Sequence, residues 1–238
     1  AGNPANPTGH RTAYLWERVW QRNAWLDLLN RFVHVEPTPK GSKGKAPLTI
    51  FPRFHQWDAV LAMTAAARSN GAGDDYLVQH SAGSGKSNTI AWLAHRLSSL
   101  HNDADEKVFD KVVVITDRRV LDKQLQDTVH QFEHVHGVVQ RIDEDSTQLA
   151  EALTGQQARI IITTLQKFPY VTEKIDSLPD RTYAVIVDEA HSSQTGESAT
   201  KLKEVLGSAD GAAAPDELTD PAEDALAAAV AARGKQPN

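Results

Sequence analysis

Cysteine is absent from all 238 residues. That excludes a disulfide framework and any thiolate metal site, and it fits a reducing cytosol. Long apolar runs are missing too: none approaches the ~20 residues a membrane span requires. The opening AGNPANPTGH has no initiator Met, no basic stretch and no apolar stretch, so it does not read as a signal peptide. It reads as a chain entered mid-sequence at a Gly/Asn/Pro linker. Strong charge of one sign is lacking as well. The net charge is −6, and part of it is local: six acids from Asp210 to Asp224 face only Arg233 and Lys235. The remaining residues sit near −2, so any nucleic-acid contact must be a local patch rather than a global field. Internal repeats and heptads are absent. What the chain does have is a 40% apolar fraction, which suits a globular core, and a length that holds one large α/β domain or two small ones.

The stretch Tyr76–Ser87, YLVQHSAGSGKS, carries the most chemistry. Tyr76, Leu77 and Val78 read as a short buried strand. The chain then turns through Gly83, Ser84 and Gly85 into Lys86-Ser87, and a helical pattern follows (Ile90, Ala91, Leu93, Ala94, Leu97). Strand, glycine turn, Lys-Ser and helix is the context of a phosphate-binding P-loop. Glycines let backbone N–H groups converge where a Cβ would clash, and the helix N-terminus adds partial positive charge. Ser81, Ala82, Gly83, Ser84, Gly85, Lys86 and Ser87 are therefore the candidate nucleotide-binding residues. Lys86 would reach the β- and γ-phosphates, and the Ser87 hydroxyl would ligate Mg²⁺. One departure stands out: the strict motif wants glycine where His80 stands. The rival reading is a Gly/Ser turn before a helix with a stray lysine.

Taken in order, residues 14–33 read as an amphipathic helix with Leu15, Trp16, Val19, Trp20, Leu26, Leu29, Phe32 and Val33 on its stripe. Trp16, Trp20 and Trp25 suggest base stacking, but aromatics at helical spacing are more often core or interface residues. Residues 36–47 form a polar loop in which Lys40, Lys43 and Lys45 touch phosphate or are simply solvated. A helix runs from Arg53-Phe54-His55-Gln56 to Ala67. Lys111–Thr116 is a β-branched run suited to a parallel strand covered on both faces, followed by a helix with Val120, Leu121, Leu125 and Val129 inward. The histidines His130, His134 and His136 lack a carboxylate placed as in a zinc motif. A short helix from Ser146 ends at Gly155, Arg159–Thr164 is a second buried strand, Leu165–Ile175 is helical and bent at Pro169, and Tyr183–Val187 is another strand. Past Gly207 the chain is Ala-rich and acidic, with a helix expected over 221–232.

Alternating strands and helices give an α/β fold with a mostly parallel sheet flanked by helices and right-handed crossovers. Ligands in such sheets bind beyond the strands' carboxyl ends. The P-loop leaves one strand there, and Asp188-Glu189 leaves another about 100 residues later. In a nucleotide site Asp188 holds the Mg²⁺ that bridges β- and γ-phosphates, and Glu189 polarises the attacking water. Alone the pair is equally an acidic surface turn; beside a P-loop it reads as half of an ATP or GTP site.

Gln56 after an aromatic, AGSGKS at 82–87, TDRRVLDKQ at 116–124, IITTLQKF at 161–168 and DEAHSSQTG at 188–196 come in an order that resembles the first RecA-like motor domain of superfamily 2 helicases. More narrowly, the chain over about residues 11–206 is similar to the motor (restriction, R) subunit of type I restriction enzymes. The resemblance implies a RecA-like P-loop NTPase domain that takes ATP and Mg²⁺. Gln56 would read the adenine edge, with a polar helix-start residue as the rival. Lys86, Asp188 and Glu189 keep their nucleotide-site roles, and His191 would couple the γ-phosphate state to a partner motor domain. Arg118 and Arg119, and Thr163 and Thr164, fall in blocks that face the DNA backbone in related motors, solvated surface charge being the rival for the arginines. Backbone contacts carry no base readout. The implied partners are double-stranded DNA and the methyltransferase and specificity subunits of a type I complex, in the cytoplasm and with no membrane.

The expected organisation is a linker and amphipathic helix at 1–47, the ATP-binding motor domain at 48–206, and an Ala-rich acidic segment at 207–238. The resemblance places the family's nuclease outside this chain, since Glu-x-Lys occurs nowhere in it, and likewise the second motor domain. Without the arginine finger of that domain, worth roughly 10³–10⁵ in rate, hydrolysis is expected to be slow. The strand expected between the P-loop strand and Tyr183–Val187 also lies outside, which predicts a gap in the sheet there. The alternatives are a superfamily 2 helicase of another branch, and a subunit-docking module with vestigial nucleotide binding.

Overall fold

The computed structural model describes residues 4–36, 47–81, 83–116, 119–132, 137–142, 145–170 and 181–190, with the side chains of 119–124 and 168–170 outside the description. Ala82, Arg118, His134, His136, His191, the lysines at 40, 43 and 45 and the helix expected at 221–232 lie outside the described residues. The chain divides into two units, residues 1–206 and 207–238, and every described element belongs to the first.

A π-helical turn (Leu15–Val19) leads into α1 (Arg22–Arg31), β1 (His34–Glu36), β2 (Leu48–Ile50), α2 (Phe54–Asn70), α3 (Lys86–Ser98), β3 (Lys111–Thr116), α4 (Arg119–Gln131), β4 (Val139–Arg141), α5 (Ser146–Thr154), β5 (Ile160–Thr164), a 3₁₀ segment (Leu165–Tyr170) and β6 (Tyr183–Val187). β1 and β2 pair antiparallel as a small separate ribbon. The main sheet is parallel, in the order β4-β5-β3-β6.

The run KVVVIT becomes the central strand because every one of its residues is buried, which only a strand covered on both faces allows. Side chains alternate across it. Val112, Val114, Ile160 and Ile162 pack under the face that carries α2, α3 and α4. Val113, Ile115 and Ile161 meet Leu149, Ala152 and Leu153 of α5 on the other. Each such side chain contributes roughly 1.5–3 kcal/mol on burial. Trp92 of α3 pins three elements at once. Its rings lie 5.6 Å from Phe32 and 5.4 Å from Phe132, and its Nε1–H donates to Phe32 O at 3.0 Å.

Lys111 is the exception in β3. Only 2% exposed, its Nζ donates to Ala152 O at 2.9 Å and Ala158 O at 2.7 Å. Arg181 donates to Leu153 O and Gly155 O beside it, so two cations satisfy the last carbonyls of α5 and the turn after it. Burial first, then the neighbouring Arg181 and Lys107, brings the Lys111 amine down to about 8. The unfolded chain then holds more protons than the folded one between about 8 and 10.5, so stability rises with pH across that window and is flat below it. Replacing Lys111 by methionine is expected to remove up to ~3 kcal/mol of that rise. Urea melts of the two chains at pH 7.5 and 10 check it.

Two expectations fail. Residues 14–33 are not one helix. The turn at Leu15–Val19 closes with Trp20 N–H on Leu15 O, and Gln21 is extended (φ −61°, ψ 137°) before α1 begins. The two pieces have different anchors. Arg18 lies over the Phe54 and Trp57 rings and pairs with Asp58 at 2.6 Å. Asp27 pairs with Arg96 of α3 at 2.5 Å. One piece is tied to α2 and the other to α3, and the chain breaks between the two anchors. The tryptophans are not core either: Trp16, Trp20 and Trp25 are exposed, as are Leu26 and Leu29, while Val19, Leu28 and Phe32 are buried.

Tyr76–Val78 is the second failure. It forms no strand, and Leu77 is 85% exposed. A strand is held by a neighbour's hydrogen bonds, and among the described residues none pairs with it. Among the described strands, β6 is the last on that side of the sheet.

Candidate functional site

Three parallel strands deliver their carboxyl ends to one edge: Thr116 of β3, Thr164 of β5 and Val187 of β6. Asp188 follows at once, its N–H donating to Ile115 O at 2.9 Å. The chain then turns through Glu189, which has a positive φ of 53°. That is an uncommon conformation for a residue with a Cβ, and such strain clusters at functional sites. Glu189 N–H donates to Asp188 Oδ1 at 3.0 Å, which fixes that carboxylate.

The glycine loop comes to the same edge. Gly83 and Gly85 hold φ of +73° and +86°, which glycine adopts without strain. Gly85 caps α3 and, having no side chain, makes no side-chain capping hydrogen bond of its own. From the first turn of α3, Lys86 donates its ammonium to the Glu189 carboxylate, an ion pair between residues 103 apart in sequence. The sequence-predicted amine and acids therefore lie together.

Their electrostatics follow from that contact. The hydrogen bond to Glu189 holds the Lys86 amine above its usual range, against a smaller opposing effect of burial, so it stays a full cation. Burial pushes the Asp188 carboxyl up, partly offset by Lys86. His80 is pulled down by burial and then by His55 and Lys86, leaving it biased toward the neutral imidazole. Ser87 and Asp188 supply oxygen donors, the ligand class Mg²⁺ prefers. No group of three His, Cys, Asp or Glu gathers among the described residues.

Gln56 is beside the site but turned onto the loop. It is buried; Arg53 N–H donates to its Oε1 at 2.8 Å, and its Nε2 donates to Gly85 O at 2.9 Å. A Cβ at Gly85 would meet that Nε2 at 2.5 Å, so a larger residue would push the amide off the loop as well as strain the backbone. Ser81 is exposed and its carbonyl accepts the Ser84 N–H at 3.2 Å. Thr163 and Thr164 are both buried, so neither side chain is open to a DNA backbone in this conformation. Both sit inside a strand covered on two faces. Arg119 begins α4, with its side chain outside the description.

Sequence reasoning missed three features. His55 Nε2 contacts Ser84 O at 3.2 Å. The hydroxyls of Ser84, Thr116 and Thr163 are buried without a hydrogen-bond partner among the described residues. The backbone of Glu189 is left-handed. Only the first had a signal, a histidine directly before Gln56 at a helix start.

A sequence model of the SWI2/SNF2 ATPase family matches residues 55–213. Among curated proteins, the chain is 25% identical over 220 residues to a Methanocaldococcus jannaschii protein assigned provisionally as the endonuclease subunit of the type I restriction enzyme MjaVIIIP, covering 81% of this chain and 20% of that protein. It is 30% identical over 179 residues to the type I restriction enzyme HindI endonuclease subunit of Haemophilus influenzae, covering 72% of this chain and 16% of that one. The chain thus spans a fifth or less of the length of these relatives. Among solved structures it resembles the UvsW helicase from bacteriophage T4, with a TM-score of 0.50 and 17% identity over 78% of this chain and 56% of that one, a likeness of fold to a helicase RecA-like domain. The family match covers two thirds of the chain and takes in Gln56, the glycine loop and the acid pair together. The chain belongs to the SWI2/SNF2 ATPase family.

Proposed function

We propose that this chain is the ATP-binding half of an ATP-dependent double-stranded DNA translocase, the motor part of a type I restriction endonuclease R subunit. The observation that carries it is the Lys86–Glu189 pair, formed across the carboxyl edge of a parallel sheet. The curated relatives supply the narrower context.

On this reading Lys86 exchanges Glu189 for the β- and γ-phosphate oxygens, a swap of one charge-assisted bond for others. Ser87 and Asp188 would hold Mg²⁺, which neutralises charge developing on the phosphates. Glu189, released from the amine, orients the attacking water and accepts its proton. Backbone N–H groups of the glycine loop and of the start of α3 receive the phosphate oxygens. Gln56 shapes the loop, and its amide keeps one N–H and one Oε1 lone pair for the adenine edge. His191 couples the γ-phosphate to a partner motor domain, and Arg118 and Arg119 hold DNA phosphates. Double-stranded DNA and the methyltransferase and specificity subunits are the proposed partners, in the cytoplasm. The organisation proposed is 1–47 as an accessory segment, 48–206 as the motor domain and 207–238 as a separate acidic segment.

The test uses the assembled enzyme on a duplex carrying a bound third strand. ATP-driven release of the third strand without duplex separation is expected. Separation of the duplex strands instead would point to a helicase. Release that persists in Lys86→Ala would point to docking with vestigial nucleotide binding.

A further inference from the structure

The start of α2 grips two consecutive carbonyls of the glycine loop. Gln56 Nε2 holds Gly85 O at 2.9 Å, and His55 Nε2 holds Ser84 O at 3.2 Å. A carbonyl has no hydrogen to give, so the imidazole must be the donor, and its Nε2 must carry the proton. The His80 ring stands edge-on to the His55 ring, 5.4 Å away at 81°, which fixes its orientation.

No peptide bond among the described residues is cis. In a trans peptide the N–H points opposite to the C=O. Anchoring Ser84 O toward α2 therefore aims the Gly85 N–H away from it, and anchoring Gly85 O does the same for the Lys86 N–H. Those are loop and helix-start N–H groups of the kind that receive phosphate oxygens. The loop needs such help. Positive φ at Gly83 and Gly85 flanks Ser84, glycine carries the largest backbone freedom to be fixed, and the Ser84 hydroxyl is buried with no hydrogen-bond partner among the described residues to hold it.

We propose that His55 is a positioning residue for nucleotide binding: its Nε2–H turns the Ser84–Gly85 peptide so that the Gly85 N–H faces the triphosphate, with His80 bracing the ring. The inference rests on the proposed nucleotide site and adds to it a residue that touches no nucleotide. His80, the departure from the strict motif, gains a part in it.

The experiment titrates a fluorescent ATP analogue with Mg²⁺ into the full chain. His55→Phe keeps a ring against His80 and removes the donor; it is expected to bind about tenfold more weakly, the scale of one hydrogen bond. His55→Gln restores an N–H at similar reach and is expected to stay within about threefold of the parent. In steady-state ATPase assays the His55→Phe effect falls on KM with kcat little changed, as loss of ground-state positioning requires. If phenylalanine lowers the melting temperature, His55→Asn replaces it, an amide too short to span to Ser84. Lys86→Ala serves as the reference. His55→Phe binding like the parent while Lys86→Ala binds nothing overturns the proposal alone. Gln and Phe variants equally weak also overturn it. Lys86→Ala binding normally overturns the nucleotide site, and this proposal with it.

Discussion

Lys86→Ala is expected to weaken binding of a Mg²⁺–ATP analogue at least a hundredfold while leaving the fold intact. The amine and its partner Glu189 are each about a third exposed, and exposed ion pairs contribute only ~0–1 kcal/mol to stability. The melting temperature should therefore shift by a few degrees at most. Affinity is a different matter. The amine is held fully charged by Glu189, and a triphosphate offers it more than one oxygen. Hydrogen bonds between charged groups are worth roughly 1.5–3 kcal/mol each, so two of them exceed a hundredfold. Equal binding by parent and variant, at matched melting temperature, would mean that the nucleotide sits elsewhere or nowhere.

Glu189→Gln separates the two jobs of the site. The amide keeps size and shape but cannot take a proton, and it no longer pairs with Lys86 as an ion. Nucleotide affinity is expected to hold or rise slightly, because the amine loses its competing partner. DNA-stimulated hydrolysis by the assembled enzyme should fall by about 10²–10⁴, the range for losing a general base. The same titration and a phosphate-release assay check both halves. Lost affinity with normal turnover of what binds would reassign Glu189 as a binding residue.

KVVVIT and IIITT were legible because burial on both faces demands continuous β-branched runs. YAVIV has the same texture but is only partly covered, with Val185 exposed, and its pairing with β3 is what places Asp188 and Glu189. Tyr76–Val78 has the same apolar texture and still forms no strand, since strand pairing depends on a neighbour that local composition does not supply. The break at Trp20–Gln21 was equally hidden. It is set by Arg18 reaching α2 and Asp27 reaching α3, contacts between residues 36 or more apart that periodicity cannot see. Gln56 shows a third limit. Its side-chain chemistry was readable, but its hold on Gly85 depends on how the loop folds against α2. The burial of Thr163 and Thr164 follows from the place of β5 inside the sheet, between β4 and β3.

The most direct measurement is a crystal structure of the chain with Mg²⁺ and a non-hydrolysable ATP analogue. Lys86 is expected to have left Glu189 for the β- and γ-phosphates, with the metal held by Ser87 and Asp188 and Glu189 facing the γ-phosphorus. Density for the nucleotide away from the Gly83–Ser87 loop, with the Lys86–Glu189 pair unbroken, would contradict it.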